Sequence, residues 1–417
     1  MKLRILLTLL ATLSLPFSSA HAGWVTIDLG TLGGTFSEAT AINAAGQVAG
    51  SSTTAAGFTR AFRSTGLAGP GQMTNLGTAG SNYSAATAMN AVGQVAGNTN
   101  LPHAFRSTGQ ANQMVGLGAL SGASSSYATA INSAGQVAGT STLANGQQRA
   151  YRSTGLAGPG QMTNLGTLGG TSSTAIAINA AGQVVGRATL LNGQTHAFRS
   201  TGRAGPGQMT DLGTLGGTFS GAIAINTAGQ VAGSSSLANG QQRAFRSTGR
   251  AGPGKMSDLG TLGGTFSAAT AMNEAGQVVG RASLLNGQQH AFLSTGLAGP
   301  GQMIDLGTLR GSSGSVATGI NASGQVVGYS SATPFFYDDG TMFDVSTLVT
   351  GFTNLSINIY LNDLGQLAGT GRNSAGQMHA FLLKFEDDTA AVPEPASLAL
   401  LGIGLFGIFA LRRKRRQ

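Results

Sequence analysis

The sequence predicts an all-β fold: a β-propeller of about eight four-stranded blades closed by the N-terminal strand, plus one C-terminal hydrophobic helix. Three observations carry this. A motif of the form "AINAAGQVVG" recurs eight times, centred on Asn43, Asn90, Asn132, Asn179, Asn226, Asn273, Asn321 and Asn362, at intervals of 41 to 48 residues. Each copy holds four short strand-like pieces and has no helical periodicity. The supply of fourth strands falls one short at the C-terminal end, and a spare one stands at the N-terminal end.

Within a copy the pieces follow in order. "AIAIN" (222–226) alternates small and apolar residues, and "GQVAGSS" (229–235), "RAFRS" (243–247) and "KMSDLG" (255–260) follow. Four strands of roughly 5–6 residues with connections of roughly 4–6 need about 36–48 residues, which fits the interval and leaves no room for a helix. The first two strands are joined by Asn-x-x-Gly. Asn opens a type I turn and Gly takes the left-handed position that other residues resist. Gly and Pro in "STGRAGPGK" supply a longer loop between the third and fourth strands. "GTLGGTFSG" is read as the crossing to the next blade.

Apolar residues recur at fixed registers where blades pack on their neighbours. One series is Phe62, Phe105, Tyr151, Phe198, Phe245, Phe292, Phe336 and Phe381. The other is Met73, Met114, Met162, Met209, Met256, Met303 and Met342, one for each fourth strand. The last set of strands, ending "HAFLLKF" (379–385), has no such partner, and "VTIDLG" (25–30) is the strand that completes it. Such a closure removes two exposed sheet edges.

The ends of the chain read as addresses. Residues 1–22 have a basic start (Lys2, Arg4), an apolar run from Ile5 to Phe17 and Ala20-His21-Ala22, the layout of a signal peptide removed by signal peptidase. Residues 23–388 form the repeat domain. Residues 389–417 form a separate segment: Val392, Pro393, Glu394 and Pro395, then an uncharged stretch 396–411, then Arg412, Arg413, Lys414, Arg415 and Arg416 within the tail 412–417. As a helix the stretch measures about 24 Å, against about 30 Å of hydrocarbon. That suits transient membrane contact, with the cationic cluster held on the cytoplasmic side.

This C-terminal segment resembles the PEP-CTERM sorting signal of Gram-negative bacteria. The resemblance implies recognition by a membrane exosortase, export across the inner membrane and residence in the envelope, at the outer surface or in the extracellular matrix. The repeats in turn resemble HAF repeats, carried by His103-Ala104-Phe105, His196-Ala197-Phe198, His290-Ala291-Phe292 and His379-Ala380-Phe381. Arg60, Arg149 and Arg243 replace the His in three copies, and the seventh reads Pro334-Phe335-Phe336. That resemblance implies an exported protein and brings no assigned reaction.

Composition narrows the chemistry. The cationic tail supplies five of the nine net positive charges and Lys2 with Arg4 two more, leaving +2 for the rest. The basicity therefore belongs to targeting, and no nucleic-acid partner is expected. The chain has no cysteine, which excludes thiol nucleophiles, Cys-based zinc sites and iron–sulfur clusters. Histidine exchanged with Arg between copies reads as a packing or blade-edge position rather than a catalytic one. The recurring "GTLGG" lies between strands, so no helix N-terminus is available to hold a phosphate. Asp28, Asp211, Asp258, Asp305 and Asp344 share one register, varied as Asn75, Asn164 and Gly116, and read as turn-capping residues. No metal site and no cofactor are expected.

Arg63, Arg106, Arg152, Arg199 and Arg246 follow the aromatic residue in five successive copies. In a ring they form an arc that could bind the anionic groups of an acidic polysaccharide, or else cover apolar blade surface with their stems. The expected role is that of a non-enzymatic exported scaffold or binding protein associated with exopolysaccharide or a biofilm matrix. The alternative is a carbohydrate-active propeller enzyme, a glycosidase or lyase, whose carboxylates would sit in the divergent last copies, with Asp338, Asp339 and Asp363 the first candidates. A third is self-assembly through strand edges.

Overall fold

A computed structural model describes residues 23–67, 72–101, 103–155, 162–202, 209–248, 256–295 and 303–386. The expected signal peptide (1–22) and the sorting segment (389–417), with its motif, helix and cationic cluster, lie outside the described residues. The compact unit Val25–Lys384 contains all eight copies. Trp24 and Phe385, outside it, meet edge to face with ring centroids 5.5 Å apart.

Among the described residues nearly all regular secondary structure is strand. The third copy shows the unit alone: Ala123–Ile131, Val137–Leu143, Gln148–Ser153 and Met162–Gly166 form a four-stranded antiparallel sheet in chain order. The same propeller-like pattern repeats along the chain. In the fifth copy the strands are Gly216–Ile225, Val231–Leu237, Gln242–Ser247 and Met256–Asp258. The only helices among the described residues are a four-residue turn, Val345–Leu348, and a 3-10 turn, Leu309–Gly311.

Two expectations are corrected. The crossing "GTLGGTFSG" is largely strand: the first strand begins at Gly216, and Gly216 pairs with Leu237 ahead of a bulge. A Cβ on Gly217 would lie 2.2 Å from Ser236 Oγ, so glycine is what lets the two strands come this close. In the seventh copy both aromatics are buried, but the one laid across the second-strand glycine is Phe335, not Phe336. Phe335 pairs with Gly328, as Phe62 pairs with Gly50, and is fully buried. The hairpin there is shorter, turning through Ser331 at φ 55°, and this moves the register by one residue.

The Phe–Gly pairing explains the blade's packing. In each copy the aromatic of the third strand lies across a glycine of the second, from Gly50–Phe62 to Gly369–Phe381. The ring covers the place a side chain would take, and a Cβ on Gly233 would stand 2.8 Å from Phe245. The cores lie between copies. One joins Ala49, Ala61 and Leu76 of the first copy to Ala86, Val95 and Phe105 of the second, with Met114 against them. The expected Met series occupies this place in every core in which it occurs.

The last copy has its first strand split into Phe352–Thr353 and Tyr360–Leu361. Its fourth-strand place, beside Met378–Glu386, is taken by Gly23–Asp28. Leu29 N–H donates to Ala380 O (3.0 Å), as Leu76 N–H donates to Ala61 O within the first copy. Ile27 and Leu29 are buried in a core with Ala368, Ala380 and Leu382.

Candidate functional site

Asparagine turns join the first two strands of each copy. Gly46, Gly93, Gly135, Gly182, Gly229, Gly276, Gly324 and Gly365 all have φ between 73° and 86°, as the Asn-x-x-Gly pattern requires. Each asparagine is buried, and its Oδ1 accepts the N–H of the glutamine four residues on, as in Asn179 and Gln183 (3.0 Å). Its Nδ2 donates to that glutamine's Oε1 and to the backbone of the next copy. Asn90 reaches Asn132 O at 2.9 Å, Asn132 reaches Asn179 O at 3.0 Å, and Asn179 reaches Asn226 O at 3.0 Å. Asn321 reaches Asn362 O at 3.0 Å, and Asn362 reaches Asn43 O at 2.9 Å. The sequence pattern showed the turn but not this inter-copy bond. Its signal was the glutamine that accompanies every one of the eight asparagines at the fourth position after it.

The arginines of the expected anion-binding arc sit at equivalent places and point at these same turns. Arg106, Arg152, Arg199 and Arg246 are buried, 5–8% exposed, and Arg63 is half-buried. Arg106 Nη1 donates to Gly135 O (3.0 Å), Arg152 to Gly182 O (2.6 Å), Arg199 to Gly229 O (2.6 Å) and Arg246 to Gly276 O (2.7 Å), the turn glycine of the next copy in each case. Arg63 is more distant, 3.4 Å from Gly93 O. Burial holds all five guanidinium groups below the ordinary arginine value. Arg106, Arg152, Arg199 and Arg246 thus tie each copy to the turn of the next. The register is apolar in the last three copies, as Leu293, Phe336 and Leu382.

A second polar register lies three residues earlier on the third strand. His196 Nδ1 meets Asp211 at 2.9 Å, His290 meets Asp305 at 2.9 Å and His379 meets Asp28 at 2.9 Å. Arg243 Nε lies 3.9 Å from Asp258. The aspartates also cap turns, as expected: Asp211 Oδ1 accepts from Gly213 N–H and Asp258 Oδ1 from Gly260 N–H, both at 2.8 Å. The cross-strand pairing was missed in the sequence, because Asp stands at its register with His, Arg or Pro at the other. Where the aspartate is absent the pairing fails, and His103, opposite the Gly116 register, has a buried Nδ1 with no hydrogen-bond partner.

The carboxylates of the divergent copies brace turns. Asp363 Oδ1 accepts Ala322 N–H (2.9 Å) and Asp338 Oδ2 accepts Gln325 Nε2–H (2.9 Å). Asp339 is a turn residue at φ 42°. Asp344 caps the short helix through Ser346 N–H (2.9 Å) and pairs with Arg310 (3.1 Å). Among the described residues no group of three or more His, Asp or Glu is placed to hold a metal ion.

Two cavities stand out. The first, about 360 Å³, is lined by inner strands, with Thr40, Thr87, Thr318 and Tyr360 among its residues. Thr40 and Thr87 direct their hydroxyls at carbonyls of their own and the next copy. Burial, and then the charge of Glu38, push the Tyr360 hydroxyl above its usual value. The second, about 380 Å³, lies where the first two copies meet and is lined by Arg60, Asn75, Thr78, Asn112 and Met114.

Residues 391–416 match the PEP-CTERM protein-sorting motif. This marks the chain as carrying an exosortase-type sorting signal for the envelope or beyond. No curated protein matches the chain in sequence. Among solved structures it is similar to a Mycobacterium tuberculosis puromycin-hydrolyzing peptidase, at 12% identity and a TM-score of 0.47, over 90% of this chain and 57% of that one. YCF48 bound to D1 peptide is similar at 12% identity and a TM-score of 0.42, over 91% and 99%. The Trypanosoma rangeli sialidase in complex with the inhibitor DANA is similar at 11% identity and a TM-score of 0.34, over 87% and 58%. The chain thus spans less than two thirds of the length of the peptidase and of the sialidase, and at these scores no activity is transferred from any of the three.

Proposed function

We propose that the protein is a non-enzymatic scaffold and binding protein of the cell envelope or extracellular matrix, sorted by an exosortase and built as a closed eight-bladed propeller. The observation that carries the export reading is the sorting motif at 391–416. The closed ring is supported by the bond from Asn362 to Asn43 O and by the N-terminal strand beside the last copy. The resemblance to HAF repeats agrees with an exported chain. Signal peptidase and exosortase would be its processing partners, an acidic exopolysaccharide its ligand, and the apolar stretch 396–411 its transient membrane contact.

The scaffold reading is preferred to a glycosidase or lyase because Asp338 and Asp363, the carboxylates that break the repeat, are engaged in bracing the turn of the seventh copy. A hydrolytic pair needs one carboxyl free to donate and one free to attack or activate water.

Cell fractionation tests the reading. The wild-type chain should leave the inner membrane when the exosortase is present and stay in it when the exosortase is deleted or when Pro393 and Glu394 are both changed to Ala. Equal distribution in all three would overturn the sorting reading. Release of reducing ends from an acidic polysaccharide, abolished by Asp363→Asn, would overturn the non-enzymatic one.

A further inference from the structure

The repeat carries arginine or histidine at the third-strand register of Arg60, His103, Arg149, His196, Arg243, His290 and His379, and four copies answer it with an aspartate. Asp211, Asp258, Asp305 and Asp28 face His196, Arg243, His290 and His379. In the first and third copies the answering residue is an uncharged amide, Asn75 or Asn164. Arg149 still has a side-chain partner, since its Nη2 donates to Gln147 Oε1 at 2.9 Å, as Arg243 Nη2 donates to Gln241 Oε1 at 2.8 Å. Arg60 has neither. The place of that glutamine is taken by Phe58, and the guanidinium lies over the Phe58 ring, 5.0 Å from its centroid. Its Nη1 donates to the carbonyls of Thr59 (2.9 Å) and Asn82 (2.7 Å), which orient the group without supplying a counter-charge.

The same arginine lines the cavity of about 380 Å³ between the first two copies. The short third-to-fourth-strand loop of the second copy forms one wall. Asn112, at φ 55°, donates its N–H to Asn75 O (3.2 Å) and holds that loop on the first copy. The side chains of Asn75, Thr78 and Asn112 give the cavity amide and hydroxyl donors around one uncompensated guanidinium, and its volume falls in the range of small-ligand sites.

We infer that this cavity binds a carboxylate of an acidic glycan, with Arg60 as the cation. A guanidinium matches a carboxylate with two parallel hydrogen bonds. Phe58, 48% exposed beside it, offers apolar surface for the C–H face of a sugar ring. A uronate combines these two chemistries in one unit. The site gives the binding reading of the protein a place and a ligand class, and it rests on that reading.

The test is calorimetric titration of the full chain with oligogalacturonate, its carboxyl-reduced neutral counterpart, and sodium sulfate. Wild type should bind the uronate oligomer, more weakly as salt rises, and should not bind the neutral one. Arg60→Gln should weaken binding about tenfold or more, the loss of a charge-assisted pair. Asn75→Asp should do the same while keeping Arg60, because it installs the counter-charge found in the fifth copy. Arg243→Gln, at a register already paired, should leave affinity within about twofold. Uronate binding unchanged in both Arg60→Gln and Asn75→Asp would overturn the site and leave the scaffold reading standing. Sulfate binding as tightly as the oligomer would overturn the glycan assignment. Absence of uronate binding by wild type would overturn the inference, whereas failure of the sorting reading would show in the fractionation experiment instead.

Discussion

At the scale of single residues, the molecule is organised by polar side chains that find partners in a neighbouring strand or copy. The inter-copy asparagines are the clearest case, and the His–Asp pairs are the second. One of the four repeat histidines lacks its pair: His103 Nδ1 is buried without a partner, and Gly116 stands where its aspartate would be. A Cβ at Gly116 would meet only Ala79 Cβ, at an ordinary 3.8 Å, and the backbone there is not left-handed. Gly116→Asp should therefore stabilise the protein at neutral pH by about 1 kcal/mol, through the new hydrogen bond and the smaller entropy of the unfolded chain. The midpoint of urea unfolding measures it. In His103→Gln with Gly116→Asp the gain should shrink to the chain-entropy part alone, and an undiminished gain there would show the effect is not the pairing.

At the scale of the element, the second and third strands are fitted to each other by glycine and phenylalanine. Gly233 cannot accept a side chain: a Cβ would lie 2.0 Å from Gly221 O and 2.8 Å from the Phe245 ring. Because the carbonyl belongs to the first strand of the same sheet, the clash cannot be relieved by a rotamer change alone. Gly233→Ala should cost at least about 3 kcal/mol, the upper range for overpacking, read as a lower unfolding midpoint. Gly240→Ala, a turn position with open space around it, should cost less than Gly233→Ala, since only its φ of 82° is strained. Much of this level was legible beforehand. The turns, the four-strand count and the Met and Phe registers follow from period and residue type alone. The register slip to Phe335 was not legible, because a one-residue shift in a shortened hairpin leaves the same composition. The inward turn of Arg106 and Arg152 was not legible either, since a long cationic side chain carries no mark in the sequence of which neighbour it will reach.

At the scale of the whole molecule, the decisive contacts are those between the two ends of the repeat array. Asp28 with His379, Leu29 N–H with Ala380 O, and Ser37 Oγ accepting Ala380 N–H reproduce bonds found within other copies or between successive ones. Ser84 does the same for Ala61 N–H and Ser220 for Ala197 N–H. An open array of repeats would fray from its terminal edges, since each copy buries its core only against its neighbours. The closed ring we propose has no such edge. Its consequence is that the joint should be as protected as any interior blade. Under native conditions the amide of Leu29, bonded to Ala380 O, should exchange with deuterium as slowly as that of Leu212, bonded to Ala197 O. Leu29→Ala, which empties a side chain 5% exposed in the joint core, should cost about 2–5 kcal/mol. It should lower a single unfolding transition rather than split off an early one. Exchange at Leu29 faster than at Leu212 by a hundredfold or more, about 2.7 kcal/mol of local opening, would mean that the ends are docked loosely and the ring is not a closed cooperative unit.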